Sequence, residues 1–485
     1  MAASNSDLLS VLRQYNPWWR DGRTQELPDW RRAVFHEVFS WMSAPPAHRA
    51  ILLTGARQVG KTTLLLQTIQ ELLRQGVPPT KILYATLDHP LLRTVALDTL
   101  LQLWREVEPS EGGVEYVFLD EIQYALDWQV WLKHQADFQK HRRIAVTGSA
   151  TPLATESQES GVGRWHTIRL STLSFYEYLQ IKKVAVPPTI QPLRSLAELF
   201  DWPQQQFVAV GSDARSLAGH FHEYLLRGGY PQTALIESIP QAQRLLREDI
   251  VDKVLKRDMT MLFGVRRVLE LEQTFLYLCL HDGGILNMPD LCKNLEVKKA
   301  TANNFITLLE SAHLIHRLQP FGYGKEVLRG RFKIYLSDAA IAPSVLLKGK
   351  ALLEDAVALG AAAETAFFNH LFARYFRQNV SFSYWHGKKD EEVDIIASVE
   401  ARFVPFEIKY RSQATNRNDL KGIRQFCDER GVDRGYVITK DLFDFGLMPL
   451  SDGDSKTTLL KIPAPLACYW LGLLELESAS HTERI

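Results

Sequence analysis

Cysteine is scarce and scattered: Cys279, Cys292, Cys427 and Cys468 are the four in 485 residues, and no two form a C-x-x-C pair. That spacing excludes a zinc knuckle or a disulfide framework and fits a reducing cytoplasm. No run of about 20 apolar residues occurs, so no membrane-spanning helix and no membrane partner are expected. The opening residues, Met1-Ala2-Ala3-Ser4-Asn5-Ser6-Asp7, lack the basic-then-apolar layout of a secretory leader. An excess of one charge is missing too. Lys plus Arg and Asp plus Glu each number 56, so any basic surface must be local.

Apolar residues, by contrast, make up 46 % of the chain, enough for real cores. The length exceeds what one core supports, and about three domains are expected. The most informative stretch is Gly55-Ala56-Arg57-Gln58-Val59-Gly60-Lys61-Thr62, with Ala50-Ile51-Leu52-Leu53 before it and Thr63-Leu64-Leu65-Leu66-Gln67 after it. It has the layout of a phosphate-binding loop. A buried strand feeds a turn whose glycines let backbone N–H groups close on phosphates, and the following helix adds its positive N-terminal dipole. Lys61 then reaches the β- and γ-phosphates, and Thr62 offers its hydroxyl to Mg²⁺. The nucleotide-contacting set is Gly55, Ala56, Arg57, Gln58, Val59, Gly60, Lys61, Thr62 and Thr63, with Asp120 and Ser149 from later strands.

Ahead of the loop, Asp7–Leu12 and Trp30–Phe39 have helical spacing and flank Pro17-Trp18-Trp19, whose aromatics are expected to anchor this arm to the core, contact with a neighbouring subunit being the alternative. Beyond it, Lys81–Asp88 reads as a strand and Leu91–Glu106 as a helix. Val114–Glu121 is a strand ending in two carboxylates, Asp120 to hold the metal's water shell and Glu121 to polarise the attacking water. Arg143–Ser149 is the next strand, with Thr147 or Ser149 placed as a polar sensor. Gly161-Val162-Gly163-Arg164 precedes a fifth strand, His166–Leu170. Arg164 suits either an arginine finger reaching a neighbouring subunit's nucleotide or an ordinary surface ion pair.

Taken together, Gly55 to Thr62, Asp120-Glu121, Thr147-Gly148-Ser149, Gly163-Arg164 and Leu173-Ser174-Phe175-Tyr176-Glu177-Tyr178 resemble a widespread group of bacterial and archaeal AAA+ ATPases. In that group the ATPase core is followed by a winged helix and a domain similar to restriction endonucleases. The resemblance implies an α/β fold with a AAA+ P-loop core whose parallel sheet has the order 5-1-4-3-2. It divides the chain into a helical arm (1–49), ATPase core (50–172), helical lid (173–258), winged helix (259–347) and nuclease-like α/β domain (348–485). ATP and Mg²⁺ are the implied cofactors, and a homo-oligomer, commonly a hexameric ring, is the implied assembly. Whether a partner protein is needed is not legible.

Between core and C-terminal domain, Val184–Pro192 reads as a proline-rich surface loop. Gly228-Gly229-Tyr230-Pro231 resembles the turn by which some P-loop ATPases touch nucleotide from the lid, and a plain helix-stopping turn fits the residues equally well. Leu245–Met259 has amphipathic spacing. Glu270–His281, Met288–Leu295 and Lys298–Ser311 then follow a helix–turn–helix grammar. Lys298, Lys299, Thr301, Asn303 and Asn304 on the third helix, and Lys325, Arg329, Arg331 and Lys333 on a following ribbon, suit a DNA groove and its phosphates. A protein-binding spacer is the alternative.

In the last segment Glu364 lies on an otherwise apolar helix, and Asp394, Glu407 and Lys409 fall on two successive strands. Glu407 and Lys409 share one strand face because side chains alternate with period two. The trio resembles the PD-(D/E)XK nuclease motif, with Val393 where its name has proline. Asp394, Glu407 and a third contact from Glu364 then hold Mg²⁺, or Mn²⁺, at a scissile phosphate, with Lys409 steering water. A helix at Leu420–Phe426, a strand at Arg434–Thr439 and a core element at Cys468–Leu474 complete such a fold, and Ser478–Ile485 is a polar tail.

The expected protein is thus a Mg²⁺-dependent ATPase driving or controlling a DNA-directed nuclease, in defence against foreign DNA or in DNA processing. Its rivals are an ATP-gated DNA- or protein-binding switch whose nuclease-like domain does not cut, and an ATP-driven DNA remodelling or branch-migration motor.

Overall fold

Five segments form the five strands of one parallel sheet: β1 (Ala50–Thr54), β2 (Ile82–Thr86), β3 (Glu115–Asp120), β4 (Arg142–Gly148) and β5 (Trp165–Arg169). The computed structural model describes residues 4–477 except 110–111, 150–162, 323–326, 328–330, 377, 379, 388–390, 401 and 451–456. Gly161, Val162, Lys325, Arg329 and the tail from Ser478 lie outside the described residues. The chain divides into two compact units. One comprises residues 1–170 with 261–264 and 311–313; the other comprises 171–260, 265–310 and 314–485.

In the first unit the strand order is β2-β3-β4-β1-β5, the order expected for a AAA+ core. Every residue of β1, β2 and β3 is buried, as continuous apolar runs in a parallel sheet should be. The core beneath gathers Leu52, Leu83, Val117, Trp104 and Leu132. The expected helix after β2 runs from Leu97 to Val107, and Leu92–Thr94 is a single 3₁₀ turn cut off by extended Val95 and Ala96. The N-terminal arm is fastened to the edge strand β2. Asn16 exchanges two hydrogen bonds with the Tyr84 backbone (2.7 and 2.8 Å), as a neighbouring strand would, and the indoles of Trp18 and Trp19 both donate to Ile82 O (3.1 and 2.8 Å). The tryptophan pair therefore anchors the arm, and Asn16 pairs part of an otherwise open sheet edge.

The second unit carries β6 (Ile315–Pro320), β7 (Lys333–Leu336), β8 (Ser381–His386), β9 (Glu392–Val399), β10 (Arg402–Lys409), β11 (Arg434–Thr439), β12 (Gly446–Pro449) and β13 (Thr458–Pro463). They form one sheet of order β12-β13-β11-β10-β9-β8-β6-β7. The hairpin β6–β7, expected as the ribbon of a separate winged helix, thus continues the sheet of the nuclease-like segment through Gln319–Ser383 and Pro320–Tyr384. Helices Val268–Leu280, Met288–Asn294 and Lys299–Ser311 precede it in the expected helix–turn–helix order.

Ser174 and Glu177 form a reciprocal capping box at the start of helix Phe175–Ile181. The Leu245–Met259 stretch is helical but wider than an α-helix, with π turns at Leu246–Asp252 and Val254–Asp258. The C-terminal core element is a helix, Ala464–Glu477, with Cys468 and Trp470 fully buried.

Candidate functional site

The phosphate-loop candidate leaves the C-terminal end of β1, where β4 and β5 flank it. Its backbone takes positive φ at Gly55 (152°), Gln58 (59°) and Gly60 (101°), the last directly capping helix Lys61–Arg74. Gly55 is there for space as well as conformation: a Cβ on it would stand 2.2 Å from the Leu170 carbonyl oxygen. Lys61 is buried, and its ammonium donates to the loop's own carbonyls, Gly55 O (2.9 Å) and Ala56 O (2.7 Å). Arg57 donates to the Tyr124 hydroxyl (3.2 Å), while Gln58 and Thr62 are exposed and Thr63 half-buried.

Three hydroxyls converge on Asp120 at the end of β3. Thr62 (2.6 Å) and Tyr84 (3.0 Å) donate to its Oδ2, and Thr147 from β4 donates to Oδ1. Burial, followed by the adjacent Glu121, pushes the Asp120 carboxyl above its ordinary range. Thr147 also accepts the backbone N–H of Glu121 (3.0 Å), so one hydroxyl touches both members of the acidic pair. Glu121 itself has φ 54°, an uncommon value for a side chain of its size. Its Oε2 accepts from Ser149 (2.9 Å) and from the Gln123 amide. Both sensor candidates thus reach the acidic pair, Thr147 at Asp120 and Ser149 at Glu121.

Tyr84, Gln123 and Arg32, which donates to Val59 O (2.7 Å), are neighbours that sequence reading overlooked. Period-two alternation along β2 was the available signal for Tyr84; nothing local marks Arg32. The donor set suits a nucleotide with Mg²⁺: a cationic Lys61 folded on the loop, Thr62 and Asp120 already side by side, and a cradle that excludes a Cβ. Arg164 pairs with Asp137 of the same chain (3.1 Å), the ion pair that was one of its two expected roles.

In the second unit the Gly228–Pro231 turn is built into its own surroundings. Gly229 N–H donates to Asp338 (2.8 Å), and Cβ atoms on Gly228 or Gly229 would meet Asp338 and Leu173 at 2.4 and 2.5 Å. On helix Lys299–Ser311 and just before it, Lys298, Lys299, Asn303 and Asn304 are exposed and Thr301 is half-buried. Arg331 is exposed too. Lys333 departs from expectation. Instead of facing solvent as a phosphate contact it is 2 % exposed, and its ammonium pairs with Glu364 (2.9 Å) and donates to Glu392 (3.0 Å) and Asp394 (2.9 Å).

The antiparallel β9–β10 pairing aligns Ile395 with Phe406, which brings Asp394 beside Glu407. Asp394 Oδ2 accepts Ile408 N–H (2.8 Å), and Lys409 donates to Glu407 Oε1 (2.5 Å). Tyr335 O–H donates to Glu364 Oε1 (2.7 Å). Burial and the neighbouring Asp394 push Glu407 up to about 8 and Glu364 up to about 7. Burial works to raise Asp394 as well, but Lys333 and Lys409 outweigh it and hold that carboxyl below its ordinary range. Asp394, Glu407, Lys409 and Glu364 are therefore brought together as expected, with Lys333 and Glu392 added. The expected cation set does not fit as it stands. Among the described residues no group of three His, Cys, Asp or Glu is disposed to hold a metal ion, and an ammonium stands between the carboxylates.

Residues 47–179 match the family model of a AAA domain. Residues 218–351 and 359–454 match two domains of unknown function, DUF8612 and DUF4143. An uncharacterized protein of Haemophilus influenzae is 25 % identical over 295 residues, 59 % of this chain and 66 % of that protein. Uncharacterized protein MJ1637 of Methanocaldococcus jannaschii is 27 % identical over 394 residues, 79 % of this chain and 80 % of the relative. Uncharacterized protein Rv2008c of Mycobacterium tuberculosis is 26 % identical over 373 residues, covering 75 % and 71 %. Among solved structures, AMPPCP-bound DnaA from Aquifex aeolicus aligns at 13 % identity and TM-score 0.24, over 57 % of this chain and 86 % of that one. Among the described residues no helix is long and apolar enough to cross a membrane.

Proposed function

We propose that this chain is a Mg²⁺-dependent ATPase whose nucleotide cycle controls what its C-terminal unit holds. The AAA domain over residues 47–179 is the premise. Lys61 exchanges its loop carbonyls for the β- and γ-phosphates. Thr62 and Asp120 would hold Mg²⁺, which neutralises charge on the phosphate oxygens when bound. Glu121, oriented by Ser149 and Gln123, polarises water, and Thr147 keeps the two carboxylates in register. The observation that carries this proposal is the convergence of Thr62, Tyr84 and Thr147 on buried Asp120 with Glu121 next to it.

The test is ATP turnover by purified full-length protein. Lys61→Ala is expected to abolish hydrolysis, and Glu121→Gln to bind ATP while turning over slowly. Retained hydrolysis in the first variant, or normal turnover in the second, overturns the assignment. Arg164 acts as a finger only if ATP and a neighbouring subunit draw it from Asp137, in a homo-oligomer such as a ring.

For the C-terminal unit the binding switch gains ground over the nuclease. The exposed Lys298, Lys299, Asn303, Asn304 and Arg331 suit a DNA backbone. The juxtaposed Asp394, Glu407 and Lys409 favour cutting, whereas Lys333 among the carboxylates favours gripping without cutting. Incubating linear, circular, single-stranded and branched DNA with Mg²⁺ or Mn²⁺, with and without ATP, separates the two. Cleavage lost in Asp394→Ala and Lys409→Ala restores the nuclease, and ATP-dependent movement of branches in Asp394→Ala indicates a motor.

A further inference from the structure

The hairpin β6–β7 delivers a lysine into the centre of the acidic cluster of β9, β10 and helix Ala356–Tyr375. The Lys333 ammonium meets three separate carboxylates, donating to Glu392 (3.0 Å) and Asp394 (2.9 Å) and ion-pairing with Glu364 (2.9 Å). The side chain is held on the way in, because Tyr384 O–H fastens Arg331 O (2.6 Å) two residues upstream. Tyr335, two residues downstream, hydrogen-bonds the same Glu364 oxygen that pairs with Lys333 (2.7 Å).

Four carboxylates, Glu364, Glu392, Asp394 and Glu407, thus face two ammonium groups, Lys333 and Lys409. Glu407 is 5 % exposed, and among the described residues its Oε2 has no hydrogen-bond partner, a costly condition for a buried carboxyl oxygen. The cluster thus carries an unsatisfied acceptor beside a site plugged by an internal cation. A divalent cation bound by the same oxygens would lie at about 2.0–2.6 Å from them, space now filled by the ammonium.

We propose that Lys333 is a built-in substitute for a divalent cation: it closes the Glu364–Glu392–Asp394 cluster to metal, and removing its ammonium converts the cluster into a divalent-cation site. The same contact locks hairpin β6–β7 onto the cluster, so the site and the ribbon position are one device. A cation and Lys333 exclude each other, and admitting metal requires the hairpin's lysine to withdraw. The inference concerns the C-terminal cluster alone and holds whether or not the P-loop hydrolyses ATP.

The experiment is Mn²⁺ binding to nucleotide-free, full-length protein, read by loss of the free Mn²⁺ electron paramagnetic resonance signal. Wild type, Lys333→Met, Asp394→Asn and the Lys333→Met/Asp394→Asn double variant are compared. The expected result is a gain of one bound Mn²⁺ per chain in Lys333→Met, lost again in the double variant, with wild type and Asp394→Asn indistinguishable. Wild-type binding that Asp394→Asn abolishes, or no gain in folded Lys333→Met, overturns the proposal. Leaving four carboxylates with one lysine will destabilise Lys333→Met. A second arm therefore refolds it from urea with Mn²⁺ or with a chelator. Better recovery with Mn²⁺ is expected, and misfolding in both conditions overturns the substitution of cation for ammonium.

Discussion

Thr147→Val is the sharpest test of the proposed ATPase site, because valine has nearly the shape of threonine and removes only the hydroxyl. Thr147 is fully buried, so no water replaces what is lost. Two bonds disappear: its donation to Asp120 Oδ1 and its acceptance of Glu121 N–H at 3.0 Å. A hydrogen bond to a charged group contributes about 1.5–3 kcal/mol, and a buried N–H left alone costs about 1–3 kcal/mol. Partial relaxation brings the expected loss of stability to about 3 kcal/mol. For a unit of this size that lowers the melting temperature by about 6–12 °C.

Hydrolysis should suffer separately. If the bond to Asp120 contributes about 2 kcal/mol more in the transition state than with ATP bound, kcat falls about 30-fold. Steady-state ATP hydrolysis below the variant's melting temperature, paired with a thermal scan, measures both effects. Thr147→Ser keeps the hydroxyl and should stay close to wild type. A Thr147→Val protein that hydrolyses ATP at the wild-type rate would refute the coupling of Asp120 and Glu121 through this side chain.

Burial holds His370 in its neutral form and depresses it from 6.5 to about 4, while its Nε2 accepts Phe175 N–H (2.7 Å). A folded value below the unfolded one means that the unfolded chain binds the proton first, so stability falls as pH drops from about 6.5 to about 4. The gap is worth about 3 kcal/mol. Urea midpoints across that window should decline for wild type and stay flatter for His370→Gln; parallel declines would refute it. Gly55→Ala places a Cβ 2.2 Å from Leu170 O at φ 152°. It should destabilise the first unit by more than about 2 kcal/mol and weaken ATP binding, and a variant with unchanged melting and affinity would contradict the loop geometry.

Local patterns carried much of this protein in plain view. The phosphate-loop spacing, the strand ending in Asp120-Glu121 and the order of βα units are consequences of short-range chemistry: glycine where φ must be positive, buried strands where apolar residues run together, a helix directly after the loop. The capping box at Ser174–Glu177 is local in the same way, and so is the alternation that puts Glu407 and Lys409 on one face. The tryptophan anchor was readable as aromatic burial, though not its acceptor.

What one dimension cannot carry is the meeting of residues far apart in sequence. Asn16 completing the edge of β2, Arg32 on the Val59 carbonyl and Tyr84 on Asp120 depend on which strand lies beside which, a result of long-range packing. Lys333 shows the difference most clearly. In a ribbon of basic residues it reads as one more phosphate contact, since charge at a strand end normally faces water. Only the tertiary structure, by adding hairpin β6–β7 to the sheet of β8–β13, puts it where three carboxylates can replace the water its ammonium gives up, and so makes its burial possible.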